Sequence, residues 1–184
     1  MRNLEILSKH QVAPETQQIF DNLKGKLGMV PNLYATAANS HYGLTALLQL
    51  EETLKKGELT AKEVEAVALA VAQTNNCQYC LSAHTAVGKM LGFTEEDTLD
   101  LRSGGVVDPK LQALTSLARE ITESRGVPAE ATIAKFFDAG YSKGALVEVI
   151  GLVALNTFTN YLNHIADTEV DFPEAKEIAT QVNA

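Results

Sequence analysis

The sequence predicts an all-α fold, and three observations support this prediction. In one segment after another, apolar residues recur every three or four positions, which is the spacing of one face of an α-helix. No segment alternates convincingly between apolar and polar residues, and no Asn-Gly or Asp-Gly pair is present to close a β-hairpin. Most of the periodic segments also begin after a residue that can cap a helix and end near a glycine.

Four helices are expected in the first part of the chain, over residues 14–27, about 33–38, 43–54 and about 61–74. A capping box of Thr60 and Glu63 marks the start of the fourth helix, because each side chain can bond the backbone amide of the other residue. From Val64 to Ala72, every residue of this helix is Val, Ala or Leu except Glu65. We therefore expect this helix to be buried on all sides.

The next helix carries both cysteines in its first turn. Asn75 or Asn76 can cap it, and it should run to about Leu91. Further helices are expected over about 94–104, 109–125, 129–139 and 142–166, and Pro173 is expected to open a last short helix. We expect one domain over residues 1–184, with a redox core at about 59–92.

A faint internal repeat is also visible. When Val64-Glu65 is laid on Val147-Glu148, Ala83-His84-Thr85 falls on Ala166-Asp167-Thr168, and the two cysteines fall on Asn160 and Asn163. The pattern predicts a diverged second copy at about 142–168 that would lack the thiol chemistry.

Composition and charge exclude some functional classes. The formal net charge is −8, whereas a nucleic-acid or anionic-membrane partner would call for a basic face. We expect no membrane span, because no apolar run approaches the length needed to cross a bilayer. The N-terminal residues show no apolar signal region, so we expect a cytoplasmic protein. Two cysteines in that compartment indicate redox or metal chemistry rather than a structural disulfide.

The strongest candidate site is Cys77-Gln78-Tyr79-Cys80 with His84 one turn later. On a helix, Cys77, Cys80 and His84 fall within an arc of about 60°. The first helical turn favours a thiolate, and a second cysteine three residues away can resolve what forms on the first. His84 can accept or return the proton of Cys80. These residues predict a redox-active thiol site.

Glu65 completes the predicted site, because its helix leads through a short turn to the cysteines. Desolvation should favour the protonated carboxyl, which could then move protons near neutral pH. Alternatively, Glu65 is a structural carboxyl bonded to backbone amides.

Other interpretations of the polar residues stay open. The cysteines could be plain core residues, or two thiols, the imidazole and a carboxylate could hold a metal. The metal interpretation is disfavoured, because no second cysteine pair is present to close such a site. Tyr79 could line a substrate channel or simply pack. His164 could join the site, sit in the core or face the end of its helix.

The spacing of Glu65, Cys77, Cys80 and His84 resembles the signature of the alkylhydroperoxidase D-like (AhpD-like) branch of the carboxymuconolactone decarboxylase family. Residues 59–92 are similar to the core of that family, and Asn160-Tyr161-Leu162-Asn163-His164 followed by Asp171 resembles the tail of its peroxidase-related members. The resemblance implies a compact multi-helix fold, often of two similar halves, and a homo-oligomer such as a trimer or hexamer. It also implies reduction of hydroperoxides without a cofactor, with electrons from a lipoamide- or thioredoxin-like thiol partner.

By the same resemblance, Cys80 would attack the peroxide and Cys77 would resolve it and be the exposed point of exchange. His84 and Glu65 would relay protons. Tyr79 departs from the family pattern, since the peroxidases carry a histidine between the cysteines. We therefore expect an antioxidant thiol peroxidase. The alternatives are a thiol–disulfide oxidoreductase that uses no peroxide and a non-enzymatic redox or metal-sensing helical module.

Overall fold

Nine α-helices and one short 3₁₀ helix form the regular structure of the described residues. The computed structural model describes residues 4–106 and 108–178. The 3₁₀ helix spans Lys9–Gln11, and the α-helices are α1 (Pro14–Leu27), α2 (Asn32–Ala37), α3 (His41–Leu54), α4 (Ala61–Thr74), α5 (Gln78–Met90), α6 (Glu95–Ser103), α7 (Pro109–Ser124), α8 (Glu130–Asp138) and α9 (Lys143–Ala166). No strand occurs within these two ranges, so the all-α prediction is confirmed.

Local capping explains most helix boundaries. Helix α4 has the predicted bounds, and its capping box of Thr60 and Glu63 is present. A second capping box, Thr94 with Asp97, opens α6, and the Asp108 carboxylate accepts the Lys110 amide at the start of α7. These caps satisfy amides that have no partner inside the helix, which is why the sequence locates the helix starts well.

The helix predicted at Pro173 is wrong, because residues 168–178 contain no helix. We call this segment the C-terminal strap. Its backbone groups bond to side chains of other elements: the Ala175 amide donates to Ser82 Oγ at 3.1 Å, and the Lys176 carbonyl accepts Arg102 Nη1 at 2.7 Å. Since these partners replace intrahelical bonds, the local start signal at Pro173 does not decide the conformation.

Helix α4 lies at the centre of the molecule and contributes to three buried clusters. Val64, Val67 and Val71 join the largest cluster. Leu69, with Ala66, packs against Phe93 and Leu101, and Ala72 belongs to the cluster that contains both cysteines. The prediction that α4 is buried on all sides is therefore confirmed.

Helix α9 has one face in the core and one face in solvent. By length and composition α9 is apolar enough to cross a membrane, so the expectation from the sequence is wrong on this point. However, 44% of its most apolar 18-residue stretch is buried inside the protein, and core helices of soluble proteins have the same length and composition. The outer face carries an exposed apolar row, the α9 stripe, formed by Val147, Ile150, Ala154, Phe158, Tyr161 and Ile165.

The internal repeat and the single-domain boundaries stay predictions. Helix α9 continues unbroken through the positions that the repeat aligns with the turn between α4 and α5. A second copy would therefore lack the break that creates the start of α5.

Leu69→Ala tests the enclosure of α4. Leu69 is fully buried, on the side of α4 that faces Phe93 and Leu101. Because helices on all sides limit any collapse into the cavity, the free energy of unfolding should fall by about 2–5 kcal/mol in urea titrations. Val127→Ala, at a position that is 78% exposed and outside the α9 stripe, is the control and should change it by less than about 0.5 kcal/mol. Equal, small losses in both variants would contradict the packing described for α4.

Candidate active site

The two cysteines lie at the start of α5 and are joined by a disulfide. Cys77 itself is the N-cap residue, and its Sγ accepts the Cys80 amide at 3.3 Å. The expected caps are wrong, because Asn75 closes α4 and Asn76 takes a left-handed conformation with φ 54°. The Cys77 sulfur thus occupies a position where the backbone amides of a helix stabilise negative charge.

Both sulfur-bearing residues are buried, with exposed fractions of 1% for Cys77 and 3% for Cys80. The expected exposure of Cys77 is therefore wrong. The physical reason is the C-terminal strap, whose Ala175 lies in the same buried cluster as both cysteines and whose Phe172 packs against that cluster. Gln78, the residue after Cys77, also donates its Nε2 to the Ala175 carbonyl at 3.3 Å. This bond holds the strap beside the first cysteine.

Asn163 is a candidate site residue that sequence reasoning named as the counterpart of Cys80 in the repeat and within the family-like tail, but not as a contact of the cysteines. Its Nδ2 lies 3.2 Å from Cys80 Sγ and 3.9 Å from Cys77 Sγ, and the residue is 4% exposed. An amide donor at this distance favours a thiolate over a thiol. The contact spans α9 and α5, so no local spacing in the sequence reveals it.

Glu65 and His84 form a pair across α4 and α5. His84 Nδ1 lies 2.8 Å from Glu65 Oε2, and the exposed fractions of the two side chains are 27% and 9%. Glu65 is therefore a carboxyl paired with an imidazole, whereas the expectation from the sequence rested on desolvation, with bonds to backbone amides as the alternative. Burial lowers the pKa of His84, but the charge and hydrogen bond of Glu65, supported by the charge of Glu51, outweigh it and raise the pKa above its ordinary value. With Nδ1 engaged, Nε2 is the ring nitrogen left for a reacting group.

One small cavity, with a volume of about 70 Å³, connects these groups. Cys80, His84, Glu65 and Tyr79 line it. The remaining lining residues are mostly apolar, with a few polar ones: Leu33, Tyr34, Leu47, Glu51, Lys55, Val64, Ala68, Ala83, Leu152, Leu155, Asn156 and Thr159. A mostly apolar cavity with a few convergent polar groups is typical of small-molecule sites.

Tyr34, Glu51 and Lys55 form a polar edge of the cavity that sequence reasoning missed. The Tyr34 hydroxyl donates to Glu51 Oε2 at 2.8 Å, and Lys55 Nζ lies 2.6 Å from Glu51 Oε1. Burial and the adjacent Glu51 carboxylate raise the pKa of Tyr34 well above its ordinary value, so this hydroxyl stays protonated. Helices α2 and α3 supply these residues, and their approach to α5 is a tertiary feature.

Tyr79 and His164 bond to groups near the disulfide rather than to the sulfur atoms. The Tyr79 hydroxyl donates to Asp171 Oδ1 at 2.8 Å and accepts the Leu33 amide at 3.0 Å, so it holds the strap and α2 to the start of α5. His164 Nε2 lies 3.3 Å from the Asn76 carbonyl, in the turn before Cys77. Neither contact involves the sulfur atoms.

The groups considered for metal binding are engaged with one another. The two sulfurs share a disulfide, and the imidazole of His84 bonds to Glu65. Within residues 4–106 and 108–178, no group of three or more His, Cys, Asp and Glu side chains is placed to hold a metal ion.

Solved structures share this fold over most of their length. An uncharacterized peroxidase-related protein from Silicibacter sp. TM1040 has a TM-score of 0.80 at 23% identity, covering 91% of this chain and 89% of that one. The alkylhydroperoxidase AhpD core of a peroxidase-related protein from Ralstonia eutropha JMP134 has a TM-score of 0.84 at 18% identity, covering 92% of each chain. The debrominase Bmp8 in complex with 2,3,4-tribromopyrrole has a TM-score of 0.76 at 17% identity, and the match covers 90% of this chain and 89% of that one. At these identities the similarity establishes the fold.

Sequence comparison agrees with this fold. The uncharacterized protein YdfG of Bacillus subtilis (strain 168) is 27% identical over 93 residues, which are 48% of this chain and 63% of that protein. The model of the carboxymuconolactone decarboxylase family matches residues 43–124, a segment that contains Glu65, Cys77, Cys80 and His84. Residues 43–124 thus match the carboxymuconolactone decarboxylase family, and the chain has the fold of AhpD-like, peroxidase-related proteins.

Proposed function

We propose that the protein is a cytoplasmic, antioxidant thiol peroxidase that reduces hydroperoxides at Cys80, with Cys77 as the resolving cysteine. One observation carries this proposal: Cys80 and the Glu65–His84 pair line the same cavity, while Cys77 is already the disulfide partner of Cys80. A nucleophile, a proton carrier and a resolving thiol are the three groups that such a reaction needs.

In the oxidising half-reaction, the Cys80 thiolate attacks the terminal oxygen of the hydroperoxide. The S–O bond forms, the O–O bond breaks, and the departing alkoxide takes a proton from His84 to leave as the alcohol. Cys77 then attacks the Cys80 sulfenic acid, so that the disulfide forms and water leaves. The negative charge of Glu65 supports the protonated form of His84, which supplies the proton.

The buried polar contacts support the nucleophile. Asn163 Nδ2, at 3.2 Å from Cys80 Sγ, stabilises the Cys80 thiolate, and the helix N-terminus stabilises charge on Cys77. A dithiol reductant, such as a lipoamide- or thioredoxin-like partner, returns the disulfide to two thiols. The protein thereby completes a cycle without a bound cofactor.

A thiol–disulfide oxidoreductase that uses no peroxide is the second candidate. The observation that favours it is the Tyr79 hydroxyl, which bonds to Asp171 and the Leu33 amide and so offers the sulfurs no proton.

Mass spectrometry of the reduced protein, before and after a stoichiometric dose of peroxide, distinguishes the peroxidase from the oxidoreductase. Rapid formation of the Cys77–Cys80 disulfide supports the peroxidase. A slow response to peroxide, but fast exchange with lipoamide or thioredoxin, would favour the oxidoreductase. Failure of both reactions would leave a non-enzymatic sensor.

Substitution of each cysteine tests the assignment of the nucleophile. Cys80→Ser should abolish peroxide consumption, because Cys77 does not line the cavity. Cys77→Ser should still form one sulfenic acid, at Cys80, which dimedone labelling and peptide mass spectrometry would detect. A sulfenic acid on Cys77 in the Cys80→Ser variant would reverse the assignment.

Glu65→Gln tests the proton relay. The variant should fold but react with peroxide about 100-fold more slowly, because the imidazolium of His84 loses its counter-charge. Glu65 raises the pKa of His84 above that of histidine in the unfolded chain. The contribution of the pair to folding stability is therefore complete below the ordinary histidine pKa and is lost as the pH rises through the raised pKa. The inflection in the rate profile should therefore move to lower pH in the variant, and the difference in unfolding free energy from the wild type should shrink as the pH rises.

Glu52→Gln is the matched control for this variant. Glu52 lies on α3, is 71% exposed and pairs with Lys56, so its loss should leave the rate near wild type. Glu63 is unsuitable, because it is buried and bonds to Thr60, Tyr141 and Lys110. Equal rates for Glu65→Gln and Glu52→Gln would remove Glu65 from the mechanism.

We also propose that the protein is a homo-oligomer in which a second copy covers the α9 stripe. The stripe is uncharged, and its residues follow one another at spacings of three or four, so that it can pack against its own copy. The net charge of −8 disfavours an anionic membrane as the occupant. The family resemblance favours a trimer or a hexamer.

Sedimentation equilibrium tests the assembly. The wild type should sediment as a multiple of 19.8 kDa at micromolar concentration, and Ile150→Lys combined with Phe158→Lys should dissociate it, because two charges would be buried without partners. Lys143→Ala, at the exposed start of α9, should keep the wild-type mass. A single 19.8 kDa species for the wild type would contradict the proposal.

A further inference from the structure

We propose, on the basis of the redox cycle above, that the side-chain amide of Asn163 is matched to the reduced cysteine pair rather than to the disulfide. In the reduced protein its Nδ2 holds Cys80 as the thiolate, and its Oδ1 holds the remaining proton on Cys77. Asn163 thereby makes the reduced form easier to reach and sets the reduction potential of the pair.

The amide of Asn163 is only half-satisfied while the disulfide is intact. Its Nδ2 lies 3.2 Å from Cys80 Sγ and 3.9 Å from Cys77 Sγ. The residue is 4% exposed, and among the described residues its Oδ1 has no hydrogen-bond partner. A buried carbonyl oxygen without a partner is unfavourable, and the sulfur of a disulfide is a weak acceptor. The disulfide form therefore leaves both ends of the amide poorly used.

Reduction supplies the missing partner. A thiol reductant gives two electrons to the pair and leaves as its own disulfide, the Cys77–Cys80 bond breaks, and one of the two protons of the reductant stays on the protein while the other passes to solvent. A thiolate accepts a charge-assisted bond from Nδ2, which is stronger than the bond to a disulfide sulfur. The neighbouring thiol can donate its S–H to Oδ1. The same amide thus gains at both ends.

The two distances from Nδ2 decide which sulfur carries the charge. The helix start favours Cys77, because its Sγ accepts the Cys80 amide at 3.3 Å. Asn163 favours Cys80, to which its Nδ2 lies closer, and His84 lines the same cavity as Cys80. Two adjacent buried sulfurs do not both carry a charge near neutral pH. Cys77 therefore keeps the proton, and the nucleophile is Cys80.

Contacts on both sides of Asn163 fix the amide against the sulfurs. One turn earlier on α9, Asn160 Oδ1 accepts Asn75 Nδ2 at 2.9 Å, and Asn75 is the C-cap of α4. The next residue, His164, places its Nε2 3.3 Å from the Asn76 carbonyl. These bonds hold α9 to the turn that leads into Cys77. A donor fixed in this way needs no reorganisation when charge develops on the sulfur.

Titratable groups face the cysteine pair from α2, α3, α4, α5, α9 and the strap, and each is bonded to another group. They are Tyr34 with Glu51 and Lys55, Glu65 with His84, His164 with the Asn76 carbonyl, and Tyr79 with Asp171. A substitution of Asn163 removes none of these side chains. A change in the titration of the thiols therefore reports the loss of the amide.

The redox equilibrium of Asn163→Leu tests the proposal. The substitution removes both polar atoms and keeps a side chain of similar size. In mixtures of reduced and oxidised glutathione, used only as a redox buffer, the disulfide of the variant should be favoured at least about tenfold more than that of the wild type, a potential about 30 mV more negative. Equal potentials for the wild type and the variant would overturn the proposal.

Asn160→Leu is the matched control. Asn160 is also a buried asparagine on α9, but it bonds to Asn75 rather than to a sulfur, so its potential should stay close to that of the wild type. A shift as large as that of Asn163→Leu would contradict a specific role of Asn163, because the loss of any buried amide on α9 would then suffice.

Titration of single thiols tests the position of the proton. In the Cys77→Ser variant, the ultraviolet absorbance of the thiolate reports Cys80, and adding Asn163→Leu should move the midpoint at least about one pH unit higher. In the Cys80→Ser variant, the same addition should raise the midpoint of Cys77 by less, or lower it, because Nδ2 is farther from Cys77 and Oδ1 favours its thiol form. An equal or larger rise at Cys77 would overturn the assignment.

Both measurements require folded protein, so Asn163→Leu must keep the wild-type circular dichroism spectrum. Should it unfold, Asn163→Asp takes its place, because aspartate has nearly the same size but no N–H donor. It should shift the potential and the Cys80 midpoint in the same directions, since a carboxylate repels the thiolate. None of these measurements uses peroxide, so a protein that fails to consume peroxide can still support or contradict this inference.

Discussion

The complete enclosure of α4 is the constraint on which the site depends. A helix surrounded by other helices can carry a carboxylate only if another group compensates its charge, because burial of an unpaired charge is strongly unfavourable. For Glu65 this group is His84 on α5, whose Nδ1 lies 2.8 Å from Glu65 Oε2. This pair fixes the rotation of α5 against α4, and the rotation brings Cys80 and the imidazole to the same cavity. Packing in the core thus determines which groups can react with one another.

Arg102 and Tyr79 both bond to the C-terminal strap that packs against the disulfide. Arg102 is buried, yet its guanidinium bonds to Gln73 on α4 and to the Lys176 carbonyl of the strap. Burial lowers the pKa of Arg102, and two of its N–H groups donate to neutral oxygens. Tyr79 has a similar double role, since the residue lines the cavity while its hydroxyl holds the strap. The residue that departs from the family pattern therefore contributes to closure around the sulfurs.

The sequence predicts the fold and the proximity of Glu65, His84 and Cys80 well, because both depend on local patterns. Capping boxes and glycines locate the helix ends, and Glu65, Cys77, Cys80 and His84 lie on two consecutive helices. The residues that were missed or misjudged depend on contacts between distant parts of the chain. Asn163 lies 83 positions from Cys80, and Asp171 lies 92 positions from Tyr79. The burial of Cys77 and the absence of a helix at Pro173 follow from the same strap, whose partners local periodicity cannot identify.

A cavity that leads to Cys80 also constrains the kinetics of the cycle. When the thiol donor enters the same cavity as the peroxide, oxidant and reductant must occupy the same space in turn, and no complex can contain both. Such an enzyme alternates between two covalent forms, and its double-reciprocal plots are parallel lines. A large excess of the thiol would then occupy the space that the peroxide needs. The electron donor would limit turnover when it is scarce and would compete with the oxidant when it is abundant.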